Sequence, residues 1–310
     1  MASFRLLRLA LPAVAVLALA STTVFTQSQP LLPSAPKLAF GGSISPAYDG
    51  WFDNADGTRT FLMGYYSRNW QDPIDIQVGA NNHFEPGEPD RGQPTHFLPN
   101  RNFGMFTVTV PKGSTEKLWW VITARGVTQR VPLSTTPDYN ITPQHASEES
   151  PGGKYNQPAF LRFAENGPKL QSPVASQANA TARVAVVGLP MALDFWVDDD
   201  ALYASGSNAP ISDKEPIIEM VVNQYRGPGK VTVGDGHHTL TVLKGGTFGV
   251  PYSAKGSTTV TFSAPGEYQI HVTAVDLSGP GGGATGCCWT TGLFKVLVKP
   301  AAGGPPTGAR

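Results

Sequence analysis

The side chains best suited to chemistry crowd into one loop, His83-Phe84-Glu85-Pro86-Gly87-Glu88-Pro89-Asp90-Arg91-Gly92-Gln93-Pro94-Thr95-His96. Two imidazoles and three carboxylates fall within these fourteen residues. On an extended segment His83 and Glu85 point to one face. His96 can fold back to meet them, with Asp90 adding a further oxygen. Mixed nitrogen and oxygen donors suit a zinc- or manganese-like ion. A secreted metal-dependent hydrolase could be built on that set, with Arg91 and Arg101 holding an anionic group. The same residues also fit a rigid Pro/Gly loop. In that reading Asp90, Arg91, Gln93 and Thr95 satisfy backbone groups, and Arg91 pairs with a carboxylate.

Three adjacent carboxylates, Asp198, Asp199 and Asp200, follow the apolar run LDFWV. Bound Ca²⁺ would relieve their repulsion, as in extracellular β-modules. An exposed acidic loop whose side chains alternate in direction is the competing account. Calcium is the only cofactor raised beyond the loop metal. Cys287 and Cys288 are the only cysteines. Cysteines of an exported chain usually pair. Adjacent ones pair only through a strained ring, which would make a stiff turn beside Trp289. Two buried thiols and an intermolecular bridge are the alternatives, and the vicinal bond is preferred. Trp51, Tyr65, Tyr66, Trp70, Trp119 and Trp120 could stack on sugars, although aromatics on strands more often form core. Trp119 and Trp120 face opposite ways, so Trp119 is kept with Arg91 and Arg101 as a ligand-contact candidate. His237-His238 reads as a solvated turn. The sequence has no G-x-S-x-G elbow, no H-E-x-x-H and no phosphate-cradling loop.

Period-two alternation must position these groups. It recurs in Ile74/Ile76/Val78, Phe106/Val108/Val110, Trp120/Ile122, Val184/Val186, Leu193/Phe195/Val197 and Val231/Val233. It continues through Leu240/Val242, Val260/Phe262, Tyr268/Ile270/Val272 and Phe294/Val296/Val298. Such alternation predicts half-buried strands, and no later window carries a capped helical stripe. Asn54-Ala55-Asp56-Gly57 and Gly234-Asp235-Gly236 read as hairpin loops. Gly and Pro total 34 and 28 residues, which indicates many turns rather than disorder. The expected fold is all-β, two β-sandwich domains in series, the second immunoglobulin-like. Residues 39–135 form the first sandwich, 136–159 a loop-rich connection and 160–299 the second, with a tail over 300–310. At the end of the connection, AFLRF (Ala159 to Phe163) is expected to be a short strand that begins or braces the second domain.

The chain opens with Arg5 and Arg8, an apolar run from Leu9 to Ala20, and Ala18-Leu19-Ala20. That order reads as a signal peptide over 1–20, followed by a leader over 21–38. The run is shorter than the ~20 apolar residues of a spanning helix. A secreted or periplasmic product without a later membrane span is expected. Without Arg5 and Arg8 the charge is −2, from 21 basic and 23 acidic residues. That balance speaks against a nucleic-acid partner. An extracellular glycan or protein is the partner class left.

Tyr225-Arg226-Gly227-Pro228-Gly229, KVTV and VTFSAPGEYQIHVTAVD make the second half resemble immunoglobulin-like domains of the PKD and REJ type. The resemblance implies a turn at Pro265-Gly266 into a long strand ending at Asp276, and such modules serve as spacers, adhesion units or ligand binders. GYYSRNW, FEPGEPDRGQPTHFLPNR, YRGPG and CCWT make the whole chain similar to an uncharacterised family of secreted bacterial proteins. That likeness implies a two-domain exported protein and brings no site residues with it. The preferred function is a non-catalytic binding or structural module of the envelope or extracellular space.

Overall fold

The computed structural model describes residues 41–142, 156–171, 173–176, 182–201, 218–234, 238, 240–247, 250–276 and 288–301. The chain divides into two units, Met1–Pro36 and Lys37–Arg310. The first lies outside the described residues, as do the signal peptide and leader expected there. All that follows concerns the second unit, which is essentially all β and contains both sandwiches.

In the first sandwich, β1 (Ile44–Asp53) and β2 (Arg59–Ser67) form a hairpin, and β6 (Asn100–Val110) flanks β2. Gly57, at φ 82°, supplies the left-handed turn between β1 and β2. The facing sheet is β4 (Asn82–Glu85), β7 (Trp119–Ala124) and β8 (Val127–Pro132). A short ribbon joins β3 (Ile74–Asp75) to β5 (His96–Phe97). Alternation delivers Phe61, Met63, Tyr65, Phe106 and Val108 to meet Phe84, Trp120 and Ile122. Trp120 is fully buried, edge-on to Phe106 at 4.8 Å and stacked with Phe84 at 6.1 Å. Each such side chain contributes about 1.5–3 kcal/mol by leaving water.

In the second sandwich, one sheet runs β14 (Val231–Val233), β16 (Tyr252–Phe262), β12 (Met191–Asp199), β9 (Phe160–Arg162), with β15 (Thr241–Lys244) also on β16. The other runs β10 (Ala175–Ser176), β18 (Trp289–Lys299), β17 (Gly266–Asp276), β13 (Ile218–Arg226). β11 (Arg183–Val186) pairs with β18 in parallel. Leu193, Phe195 and Val197 from one sheet share a core with Tyr268, Ile270, Val272, Phe294, Val296 and Val298 from the other. AFLRF supplies β9, and Ala159, Leu161 and Phe163 enter the same core. Pro265-Gly266 turns the chain from one sheet into the other.

Five local expectations are corrected. The strand expected over Ile74–Val78 shrinks to two residues, because only Ile74 and Asp75 have a partner strand. On β11 the inward residue is Ala185, while Val184 is 54% exposed. An edge strand with one paired side can carry its apolar residues outward. β14 and β15 do not pair as a hairpin; both lie along the same edge of β16. Every residue of β15 is exposed, so Val242 faces water, whereas Leu240 just before the strand packs partly buried against the core. His238 is buried against Phe195, ring centroids 5.9 Å apart, rather than solvated. His237 lies outside the described residues.

Candidate functional site

The loop from His83 to His96 is built around two buried amides. Asn82 donates from Nδ2 to the carbonyls of Ile76 (3.0 Å) and Pro94 (2.8 Å) and accepts from Trp120 Nε1 (3.0 Å). Gln93 donates to the Pro89 carbonyl at 2.8 Å and accepts from the Arg91 amide at 2.8 Å. A loop with few regular backbone partners needs such side chains to satisfy its buried polar groups.

Its chemistry-bearing residues do not converge. His83 Nε2 lies 3.8 Å from Glu85 Oε2. His96 Nδ1 meets Asp75 Oδ1 at 2.7 Å, a partner the sequence reading did not include. Asp90 is held by Arg226, whose Nη1 and Nη2 donate to its two oxygens at 3.0 and 2.7 Å. That bidentate fork holds the Asp90 carboxyl below its ordinary value, helped by the Gly92 amide. Among the described residues, no three His, Cys, Asp or Glu side chains are grouped to hold a metal ion. The four proposed loop ligands are thus divided among three separate pairs.

The same loop couples the sandwiches instead. Tyr225, from β13 of the second sandwich, is fully buried in the core of the first. Its hydroxyl donates to the Gly92 carbonyl, and its own carbonyl accepts from the Thr95 amide at 3.1 Å. Arg226 Nε donates to the Gln93 carbonyl at 2.7 Å. A second seam places Trp289 of β18 against Leu62 and Ile141. Gly104 has φ 55°, and a Cβ there would stand 2.5 Å from the Trp289 ring, so this approach requires glycine. Arg226→Gln removes the fork but keeps the backbone. It is expected to lower stability by about 1 kcal/mol, the scale of a half-exposed ion pair, with Asp90→Asn showing the same loss and the double variant no further loss in a denaturant titration.

The three ligand-contact candidates are engaged structurally. Arg91 donates from Nε to the Glu88 carbonyl (3.3 Å), and its Nη2 lies 3.8 Å from Glu116. Arg101 pairs with Asp49, donates to the carbonyls of Tyr65 (3.2 Å) and Asn102 (2.7 Å), and lies 3.9 Å over Phe103. Burial pushes the Asp49 carboxyl up, while Arg101 opposes the shift. Trp119 is half-buried beneath Arg130, 4.5 Å from its ring centroid.

The three consecutive aspartates separate. Asp198 faces outward to Arg162 (3.1 Å), Lys169 (3.3 Å) and Ser253 (2.8 Å). Asp199 faces inward, and burial, with Asp276 and Asp200 nearby, pushes its carboxyl up to about 8. Asp200 accepts from the Gln157 amide at 3.1 Å. Asp276, from the facing sheet, joins this group. Cys288 is buried and disulfide-bonded, whereas Cys287 lies outside the described residues. Trp289 beside it is buried rather than displayed.

Where the sandwiches meet they leave a groove of about 980 Å³, with walls from both. Gln77 and Thr95 line it from the first sandwich, and Arg226, Glu267, Gln269 and Lys295 from the second. The Thr95 hydroxyl is buried there without a hydrogen-bond partner. Among the described residues no helix is long and apolar enough to cross a membrane.

No family model matches the sequence. No curated protein matches it either. A solved structure described as "Crystal structure of dimeric latent PorU from Porphyromonas gingivalis" aligns with 85% of this chain at 9% identity and a TM-score of 0.21. The aligned region is 25% of that chain, and at this score the likeness bears on neither fold nor function.

Proposed function

We propose that this is an exported, non-catalytic binding module whose ligand lies in the groove between the sandwiches. The observation that carries the reading is the groove itself: fixed at its base by Tyr225, Arg226 and the 90–95 loop, and lined by side chains of both signs. Pre-formed clefts at domain junctions, with a few convergent polar groups, are where ligands preferentially bind. Tyr268, the one aromatic in its lining, is 2% exposed, so the groove offers no sugar-stacking platform. Hydrogen-bonding groups such as Gln77 and Gln269, flanked by Glu267 and Lys295, suit an extended polar peptide better than a glycan. Export is part of the same proposal and is supported by the basic start, apolar run and small-x-small pattern of residues 1–20. The PKD/REJ-like character of the second half accords with a binding or spacer role. A hydrolase using His83, Glu85, Asp90 and His96 draws no support from a loop that divides them among three separate pairs.

Peptide and glycan arrays probed with the mature chain test the reading. Binding to an extended peptide is expected, weakened at least about tenfold by Lys295→Glu, a loss of about 1.4 kcal/mol. Arg130→Ala, remote from the groove lining, should leave it unchanged. Binding that survives Lys295→Glu together with Gln269→Trp would place the ligand elsewhere.

A further inference from the structure

The inward-facing residues of β12 run Leu193, Phe195, Val197 and then Asp199. Those of β17 run Tyr268, Ile270, Val272, Ala274 and then Asp276. The two strands belong to opposite sheets, and the apolar members of both series share one core. Each series therefore ends by aiming a carboxylate into the core, where the pattern calls for another hydrophobe. Consecutive residues tie the two ends together: Asn156 Nδ2 donates to Asp276 Oδ2 at 2.8 Å, and the Gln157 amide donates to Asp200 Oδ2 at 3.1 Å. Asp199 is 6% exposed and Asp276 3% exposed. Asp199 Oδ1 accepts from the Ala201 amide at 2.8 Å, but Oδ2 is buried with no hydrogen-bond partner. Arg162 and Lys169 are engaged on the other face of the strand by Asp198. A buried carboxylate oxygen with neither donor nor cation is strongly disfavoured.

We propose that Asp199 and Asp276 form a divalent-cation site at this end of the second sandwich, selective for Ca²⁺. Packed sheets stand about 10 Å apart, a spacing at which short carboxylates reaching in from both can share one ion between them. Ca²⁺ takes 6–8 oxygen ligands at about 2.3–2.6 Å, freely including carbonyls and water. That tolerance matters, because two facing carboxylates fall short of a full ligand set. No third acidic side chain among the described residues is grouped with the pair, so carbonyls and water would complete the set. The donors are oxygens throughout, which disfavours zinc and copper, and Mg²⁺ requires a tighter octahedron. The sequence reading put calcium on Asp198, Asp199 and Asp200; the structure assigns Asp198 to a surface ion pair and brings Asp276 in its place. Occupancy would pin the 156–157 segment between the sheets, where the Asn156 carbonyl oxygen lies 3.5 Å from Cys288 Sγ.

The test is a calorimetric titration of Ca²⁺ into the chelator-stripped full chain, with thermal melts alongside. Binding in the 10⁻⁴–10⁻³ M range of extracellular modules is expected at about one ion per chain. At about tenfold excess over Kd the Tm should rise by about 3–6 °C. Asp199→Asn and Asp276→Asn, each nearly isosteric, should abolish the heat and the Tm rise. Asp198→Asn should keep both. A parent with no binding heat and an unchanged melt overturns the site. So does a Ca²⁺-dependent rise that survives both core substitutions. If instead Asp199→Asn melts higher than a calcium-indifferent parent, the pair is held by a proton and the proposal fails.

Discussion

Tyr225→Ala is expected to lower the unfolding free energy by about 3–5 kcal/mol, the range for deleting a large buried ring. The position is unusual because the tyrosine belongs to one sandwich and is buried in the core of the other. Its removal empties a site walled by aromatic and aliphatic groups of the first core. It also frees the Gly92 carbonyl and removes the ring stacked on His271 at 5.7 Å. Calorimetry should show more than a lower Tm. With the joint weakened, the single transition should broaden or split as the sandwiches uncouple. Tyr225→Phe keeps the ring and loses only the hydroxyl donation to Gly92, so a cost of about 1–3 kcal/mol is expected, with one transition retained. If Tyr225→Ala melts with the parent, the shared core does not hold the sandwiches together.

How much of this was legible in the sequence depends on the reach of each signal. Alternation is local, so Leu193/Phe195/Val197 and Tyr268/Ile270/Val272 could be assigned to inward faces from the residues alone. The same signal failed on β11 and β15, where Val184, Val242 and Leu243 lie on edge strands and face water. Edge position is a property of the sheet, not of the strand's own residues. The His83–His96 loop misled for a related reason. Its residue types allow metal binding, but what each does is set by partners brought in from elsewhere: Asp75, Glu116, and Arg226 from the other sandwich. Nothing near Tyr225 announces which core it will enter. One signal was present and unused: Asp199 and Asp276 fall in phase with the buried residues of their strands. An acid on an apolar phase marks either an interior ion site or a strand end, and here it is both.

Protonating His271 should cost the fold stability as pH drops from about 6.5 to about 4. The imidazole is fully enclosed where the sandwiches meet, stacked on Tyr225, 3.1 Å from the Thr273 hydroxyl and facing the Met105 backbone. Burial pushes it down from 6.5 to about 4, and the Met105 contact only partly offsets this. The unfolded chain therefore binds a proton near 6.5 that the folded chain refuses until about 4. Between those values the unfolded state holds more protons, so stability rises with pH. The contribution is complete above the unfolded value and is lost as pH falls through the window. Its ceiling is about 3 kcal/mol, at 1.36 kcal/mol for each unit of separation. Asp90 is held low by Arg226 and weakens the joint only in stronger acid. Asp199, pushed up by burial to about 8, acts in the opposite sense across the whole window and can offset this loss in the total, and burial pushes Asp49 the same way. The informative quantity is therefore a difference. Urea titrations of the parent and of His271→Gln at pH 7, 5 and 4 share every other carboxylate. The parent should lose about 2–3 kcal/mol more than the variant between the ends of that series. Parallel losses in the two proteins would mean that the acid sensitivity of the joint does not originate at His271.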